Sequence, residues 1–210
     1  MKEIRYGIRH ALALPWIYDT FQKLVGAYSW RSRVLSRFVS KAIPPNGKLI
    51  DIGCGTAEAI KFLPHGVEYI GFDRNPIYIN KARKRFKHLH AVFHCEELSP
   101  NFILSGSPAD VILALGLIHH LDDNQTLDLF RLAKKLMKKS GFLLTLDPVF
   151  DSQQTSVARY IISKDRGTAV RTESAYKQLA LQVFSRVEVT IDHNPLYIPY
   201  TGIAMKCYFD

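Results

Sequence analysis

Cysteine is scarce, with three residues in 210, at Cys54, Cys95 and Cys207. The number is odd, the spacings are wide and no Cys-x-x-Cys pair occurs, which argues against a disulfide framework or a zinc site; no metal is expected. Long hydrophobic runs are missing too. No stretch approaches the roughly 18 apolar residues of a membrane span. The opening segment MKEIRYGIRHALALPWIY has only a short apolar patch broken by Pro15 and makes a poor signal peptide. A cytoplasmic protein without a transmembrane segment is the expectation. Low-complexity linkers and internal repeats are also lacking, so the chain reads as one domain with additions.

Charge of one sign is abundant. Lysine and arginine number 28 against 19 acids, a net charge of +9. Such a balance suits nucleic acid, an anionic membrane surface, an anionic small substrate, or simply a basic solvated surface. The densest cluster, KARKRFKHLH at 81–90, has the spacing of an exposed helix face. It lacks the interleaved aromatics that stack single-stranded bases. Nucleic acid stays open as a partner but is not favoured.

Strands and helices alternate along the middle of the chain. Lys48–Ile52 is a continuous apolar strand, followed by a glycine turn and a short helix through about Leu63. A second strand is expected at Val67–Phe72, a helix at Ile77–Phe86 after Pro76, and a weak third strand at His90–His94. Ala109–Leu115 is apolar throughout, as a strand buried on both faces should be. Asp123–Lys138 has helical spacing with an acidic start signal, and Gly141–Leu146 is another buried strand. This alternation implies a parallel sheet with right-handed crossovers. Residues 151–183 read as helical with a loop at Asp165–Arg171, and strands Ser185–Asp192 and Ile198–Phe209 close the chain as a hairpin. The expected organisation is a helical cap (1–45), a binding core (46–150), a helical insertion over the acceptor site (151–183) and a closing hairpin (184–210).

The stretch LIDIGCGTAEAI at 49–60 carries the first functional signal. It has no lysine where a phosphate loop needs one, and Glu58 stands at the third position of the dinucleotide fingerprint. Asp51 before the turn and Glu58 after it suit a cation better than a pyrophosphate. Asp73 ends the second strand about 20 residues after Gly53, where an acid accepts hydrogen bonds from ribose hydroxyls. A nucleoside carrying positive charge fits this set, and S-adenosylmethionine is such a molecule.

Four ordered motifs, D51-I-G-C-G-T56, Y69-I-G-F-D73, A109-D-V-I-L-A-L-G-L-I-H-H-L-D-D123 and M137-K-K-S-G-F-L-L-T-L-D-P148, resemble those of class I S-adenosylmethionine-dependent methyltransferases. The likeness is closest to the small-molecule type found in ubiquinone and natural-product biosynthesis. It implies an α/β, Rossmann-like, seven-stranded sheet, mostly parallel with an antiparallel last strand and helices on both faces. It also implies that Gly53 and Gly55, with Cys54 in the same turn, line the methionine and ribose part, and that Asp51 holds the ammonium side. Asp73 would take the ribose hydroxyls, Arg74 and Asn75 would flank the adenine, and Glu96 or Glu97 would meet its amino group. Leu115 and Gly116 would pass close to the methyl group, and Tyr18 would lie over the sulfonium. The sequence departs from the pattern at Ala57, where glycine is usual, and at Lys139-Ser140, where Pro-Gly is usual.

Methyl transfer to a hydroxyl needs a group to take its proton. His119 and His120, just beyond the fourth strand, are the candidates, with Asp147 to orient one of them; the same pair also suits a hydrogen-bonding turn. Arg159, Tyr160, Arg166 and Arg171 are candidates for binding a phosphate, carboxylate or sugar on the acceptor, or else for pairing with acids to hold their loop. Tyr200 would close the same pocket. The expected function is O-methylation of a small-molecule, sugar- or lipid-linked acceptor. The alternatives are an RNA methyltransferase, or a cofactor-binding protein without methyl transfer. The strand-four turn has no Asn/Asp-Pro-Pro-aromatic motif, which argues against methylation of a base amino group.

Overall fold

In a computed structural model, residues 24–165 and 167–209 are described. The central element is β1 (Lys48–Ile52), every residue of which is buried. Leu49 packs into one core and Ile50 with Ile52 into the other, as the two-residue period of a strand requires. Around it run β2 (Glu68–Phe72), β3 (Ala91–His94), β4 (Ala109–Leu115), β5 (Met137–Phe150), a two-residue β6 (Arg171–Thr172), β7 (Arg186–His193) and β8 (Thr201–Tyr208). The order across the sheet is β3-β2-β1-β4-β5-β8-β7, with β6 paired to the end of β5. Only β8 opposes its neighbours, pairing antiparallel with both β5 and β7. The sheet is therefore the mostly parallel one expected, closed by an antiparallel strand.

Helices α1 (Ala27–Phe38) and α2 (Pro76–Arg85) cover one face. Helices α3 (Asp123–Leu136) and α5 (Glu173–Leu181) cover the other, and α4 (Ser156–Ser163) packs near β5 and β8. Their starts follow ordinary capping chemistry. Asn75, Asp122, Thr155 and Thr172 each accept a hydrogen bond from a backbone N–H of the first turn, and Asp122 with Gln125 completes a capping box.

Three elements differ from the sequence reading. The segment after the glycine turn is a 3-10 helix, Glu58–Phe62, because Ala57 enters it in the left-handed region (φ 57°, ψ 37°) and Pro64 closes it. β5 is longer than expected at both ends: α3 stops at Leu136 and no Pro-Gly turn interrupts residues 137–140, so the chain stays extended. Residues 151–183 form two helices with the short β6 between them, which aligns Arg171 beside Val149. Among the described residues no helix is long and apolar enough to cross a membrane.

Candidate active site at the sheet switch point

The strand order reverses between β1 and β4, and the crevice at their carboxyl ends is where open α/β sheets receive ligands. The glycine turn stands at that crevice. Gly53 and Gly55 take φ of 74° and 55°, and the N–H groups of Gly53 and Cys54 donate to the Phe72 carbonyl at 2.8 and 2.9 Å. A Cβ added at Gly55 would meet nothing within 4 Å, so this backbone offers an open surface for close approach. Ala57 holds the left-handed conformation that glycine adopts without strain, so this departure from the family pattern keeps the geometry.

Asp73 lies against the turn. Its Oδ2 accepts from Gly55 N–H at 2.9 Å and its Oδ1 from Asn75 N–H at 2.8 Å. Two backbone donors fix the carboxylate while leaving lone pairs on both oxygens for further donors. Asp51 lies beneath the turn, 3% exposed, and accepts the Tyr69 hydroxyl at 2.6 Å. Burial raises its carboxyl to about 6; the Tyr69 hydrogen bond and the charge of Arg31 pull the other way, and nearby Asp73 adds to the rise. Burial also pushes Tyr69 well up, so it is a neutral donor.

Glu58 does not face the crevice as a second carboxylate. It is paired with Lys61 at 2.6 Å and with Arg85. Burial pushes its pKa up, but these partners outweigh that and hold it below its ordinary value. Asp51 and Asp73 are the two acids that belong to the turn. Cys54 is buried, and its sulfur would stand 2.9 Å from a Cβ at Gly71, so only its backbone borders the crevice.

At the ends of β2 and β3, Arg74 pairs with Glu97 at 3.1 Å and His94 with Glu96 at 3.4 Å. The Asn75 side-chain oxygen accepts from Ile77 N–H at 2.9 Å as the cap of α2, so that atom is engaged in starting the helix. Leu115 and Gly116 end β4 beside the crevice, with Gly116 N–H donating to Leu146 at 2.7 Å.

The acceptor edge is organised by His119, which stands in a 3-10 turn, Ile118–His120. Its Nδ1 lies 2.6 Å from Asp147 Oδ1 and its Nε2 3.3 Å from Asp165 Oδ1. Its backbone N–H also donates to Asp147, and its carbonyl accepts from Ala169 N–H at 3.0 Å. Burial opposes charge on the ring, but the two carboxylates outweigh it and raise the imidazole to about 9. Asp165 is half-buried, and that desolvation acts upward, yet its bond to His119 brings it below the usual range. Both ring nitrogens of His119 are engaged by carboxylates in this arrangement, so to act as the base the sequence reading allowed it would first have to leave one of them. Asp147 is 1% exposed and orients His119 from below. His120 is half-buried, its ring tilted by 40° against that of His119 with ring centroids 4.0 Å apart.

Arg171 is not an anion receptor either. Its Nε and Nη2 donate to Asp123 at 2.9 and 2.7 Å, Nη1 to the carbonyls of Ile118 and Ala169, and Nη2 to that of Leu121. The guanidinium is saturated by the turn it clasps, and its side chain is 9% exposed. Arg159 donates to the Asp151 carbonyl at 3.2 Å and lies over the Phe150 ring. Tyr160 on α4 is exposed, and Tyr200 packs edge-on to Trp30. Tyr18 and Arg166 lie outside the described residues.

Sequence reasoning missed two features of this edge. Trp30 donates to Asp192 at 2.7 Å, and its ring fills the space over Gly202, where an added Cβ would lie 2.0 Å away. This docks α1 onto the closing hairpin. The pairing of Asp165 with His119 was missed as well; no local spacing signals it. Two cavities of about 460 and 450 Å³ lie at the opposite, amino-terminal edge of the strands, away from this crevice.

The sequence profile of a family described as a methyltransferase domain matches residues 27–183. No curated protein matches the sequence. Solved structures share the fold. A possible exported protein from Bordetella parapertussis superposes with a TM-score of 0.68 at 16% identity, over 86% of this chain and 67% of that one. The plantazolicin methyltransferase in complex with SAH gives 0.67 at 17% identity, over 97% and 91%. Mitomycin 7-O-methyltransferase gives 0.65 at 19% identity; 96% of this chain is covered but only 57% of that enzyme's length.

Proposed function

The chain belongs to the methyltransferase-domain family, and from that premise we propose that it moves a methyl group from S-adenosylmethionine to a hydroxyl of a small-molecule, sugar- or lipid-linked acceptor. The observation that carries the donor is the open Gly55 backbone flanked by Asp73, with Asp51 beneath the turn. When bound, the donor supplies an already activated methyl group, so the protein's task is mainly alignment. Asp73 would hold the ribose hydroxyls, Asp51 would face the ammonium side directly or through water, and the Arg74–Glu97 and His94–Glu96 pairs would border the adenine. Leu115 and Gly116 would lie beside the methyl-bearing end. His119 and Asp147 are positioning residues, and His120 is the member of the turn that acts at the acceptor.

A small acceptor fits the saturated surroundings of the edge better than a polymer does. Two arginines of the basic run are already engaged within the fold: Arg83 donates to the Phe93 carbonyl and Arg85 pairs with Glu58. Acceptor O-methylation is also the activity named for mitomycin 7-O-methyltransferase, which shares the fold.

Replacing Asp73 by asparagine should weaken binding of the demethylated cofactor by about 1–3 kcal/mol, as a charged acceptor for the ribose donors is lost. Calorimetry that finds unchanged affinity in the folded variant would overturn the donor assignment.

Asp51 supplies a pH signature. In the ligand-free protein its carboxyl takes up a proton as pH falls through about 6. A bound ammonium favours the ionised form, so lowering the pH from 7 to 5 should weaken cofactor binding by about tenfold. The sign follows from the raised value: above pH 6 the buried charge opposes folding, and a cationic ligand relieves it. Asp51→Asn should bind weakly and without this slope; a variant that keeps the slope would move the titration elsewhere.

A further inference from the structure

At the lip of the acceptor edge His119, His120 and Asp165 converge, with one ligating atom of each within 4.8 Å of the others. The His119 Nε2 to Asp165 Oδ1 separation is 3.3 Å. Two ligands sharing one first-row cation stand about this far apart, since metal–ligand bonds of about 2.0–2.2 Å meet at tetrahedral or octahedral angles. The second observation comes from behind the ring. Asp147 Oδ1 sits 2.6 Å from His119 Nδ1, the outer carboxylate that fixes a ligating histidine's orientation and aims its other nitrogen forward. Asp147 is 1% exposed, and its Oδ2 has no partner among the described residues. Asp165 is held in turn by the Gly167 N–H at 2.8 Å. Two carboxylates therefore flank one imidazole, one at each ring nitrogen.

We propose that His119 Nε2, giving up its proton to solvent, an imidazole nitrogen of His120 and a carboxylate oxygen of Asp165 bind one borderline divalent cation of the zinc type, with Asp147 as the positioning residue. Two imidazoles and a carboxylate suit zinc, iron(II) or cobalt(II) over magnesium or calcium, which prefer all-oxygen sites. Three protein ligands leave a coordination position for solvent or for an acceptor oxygen. This would give His120 its part at the acceptor, as a ligand. The adjacent histidines and the distant aspartate form no recognisable ligand spacing, so the sequence carries no sign of the site.

The site needs no methyl donor, so its test is independent of the donor assignment. Full-length protein stripped with chelator is titrated with Co²⁺, reading the visible d–d absorption, and with Zn²⁺ in competition. One equivalent should bind saturably, and Zn²⁺ should displace it and raise the melting temperature. His120→Ala, His119→Gln and Asp165→Asn should each weaken Co²⁺ binding about tenfold or more, and Asp147→Asn by about 10–100-fold through loss of the outer carboxylate. His120 is half-buried and Asp165→Asn is isosteric, so both variants should stay folded, as circular dichroism would verify. His88→Ala, on the exposed basic run, should bind as the parent does. Absence of a saturable single equivalent overturns the proposal, and so does undiminished binding in folded His120→Ala and Asp165→Asn.

Discussion

Asp147→Ala should destabilise the fold by about 3–5 kcal/mol, as expected when one partner of a buried ion pair is removed. A single neutral hydrogen bond would give only about 1 kcal/mol. The larger figure follows from what is left behind. His119, 6% exposed, would keep its ring in the interior with only Asp165 as a carboxylate partner, and its backbone N–H would also lose an acceptor. Asp147→Asn preserves the shape and one acceptor oxygen, so it should cost roughly half as much or less. Urea denaturation of the two variants reads the difference directly. Near-equal costs, or a loss under about 1 kcal/mol for alanine, would mean that His119 carries no buried charge. Function should follow stability here. His119 holds the loop beyond α4 through Asp165 and through the Ala169 N–H, so loosening it opens the acceptor edge.

This coupling marks the boundary of what the chain discloses before folding. The sheet was legible because β1 and β4 are largely buried and read as apolar runs broken only by Lys48, Asp51 and Asp110, and because short-range signals punctuate them: Pro76 at the first turn of α2 and Asp122 before α3. The cofactor turn was legible because its glycines and Asp51 are contiguous and Asp73 follows at the end of the next strand. What was hidden depends on distant partners. Glu58 reads as an acid of the turn, but Lys61 three positions on and Arg85, 27 positions on, together hold it away from that role. Asp165 looked like one acid in a polar loop until the fold brought it to His119. Side-chain identity announces chemistry only where the partner is local; elsewhere the topology decides which charges meet.

Arg171 is the sharpest case, and Arg171→Met should cost about 3 kcal/mol or more in stability while leaving the acceptor's KM nearly unchanged. The guanidinium joins its own loop to the segment 118–123, about 50 positions earlier in sequence. It bonds to Asp123 across 48 positions, to the carbonyls of Ile118 and Leu121 in the histidine turn, and to Ala169 in the loop. Methionine keeps the aliphatic stem but loses the guanidinium that lies over the Tyr176 ring, the ion pair with Asp123 and a charged donor to each of three carbonyls, bonds worth about 1–3 kcal/mol each where water does not replace them. Arg171→Lys separates geometry from charge. A lysine ammonium has three donors on one atom and cannot span the fork, so it should recover less than half of the loss. Thermal and chemical denaturation give the stability side, and steady-state kinetics at a temperature where each variant is folded give the other. A variant of near-parental stability whose KM rises tenfold would return Arg171 to the acceptor as an anion receptor. The expected pattern is the reverse, a turn that melts early around a site whose acceptor affinity is intact once it is cooled and folded.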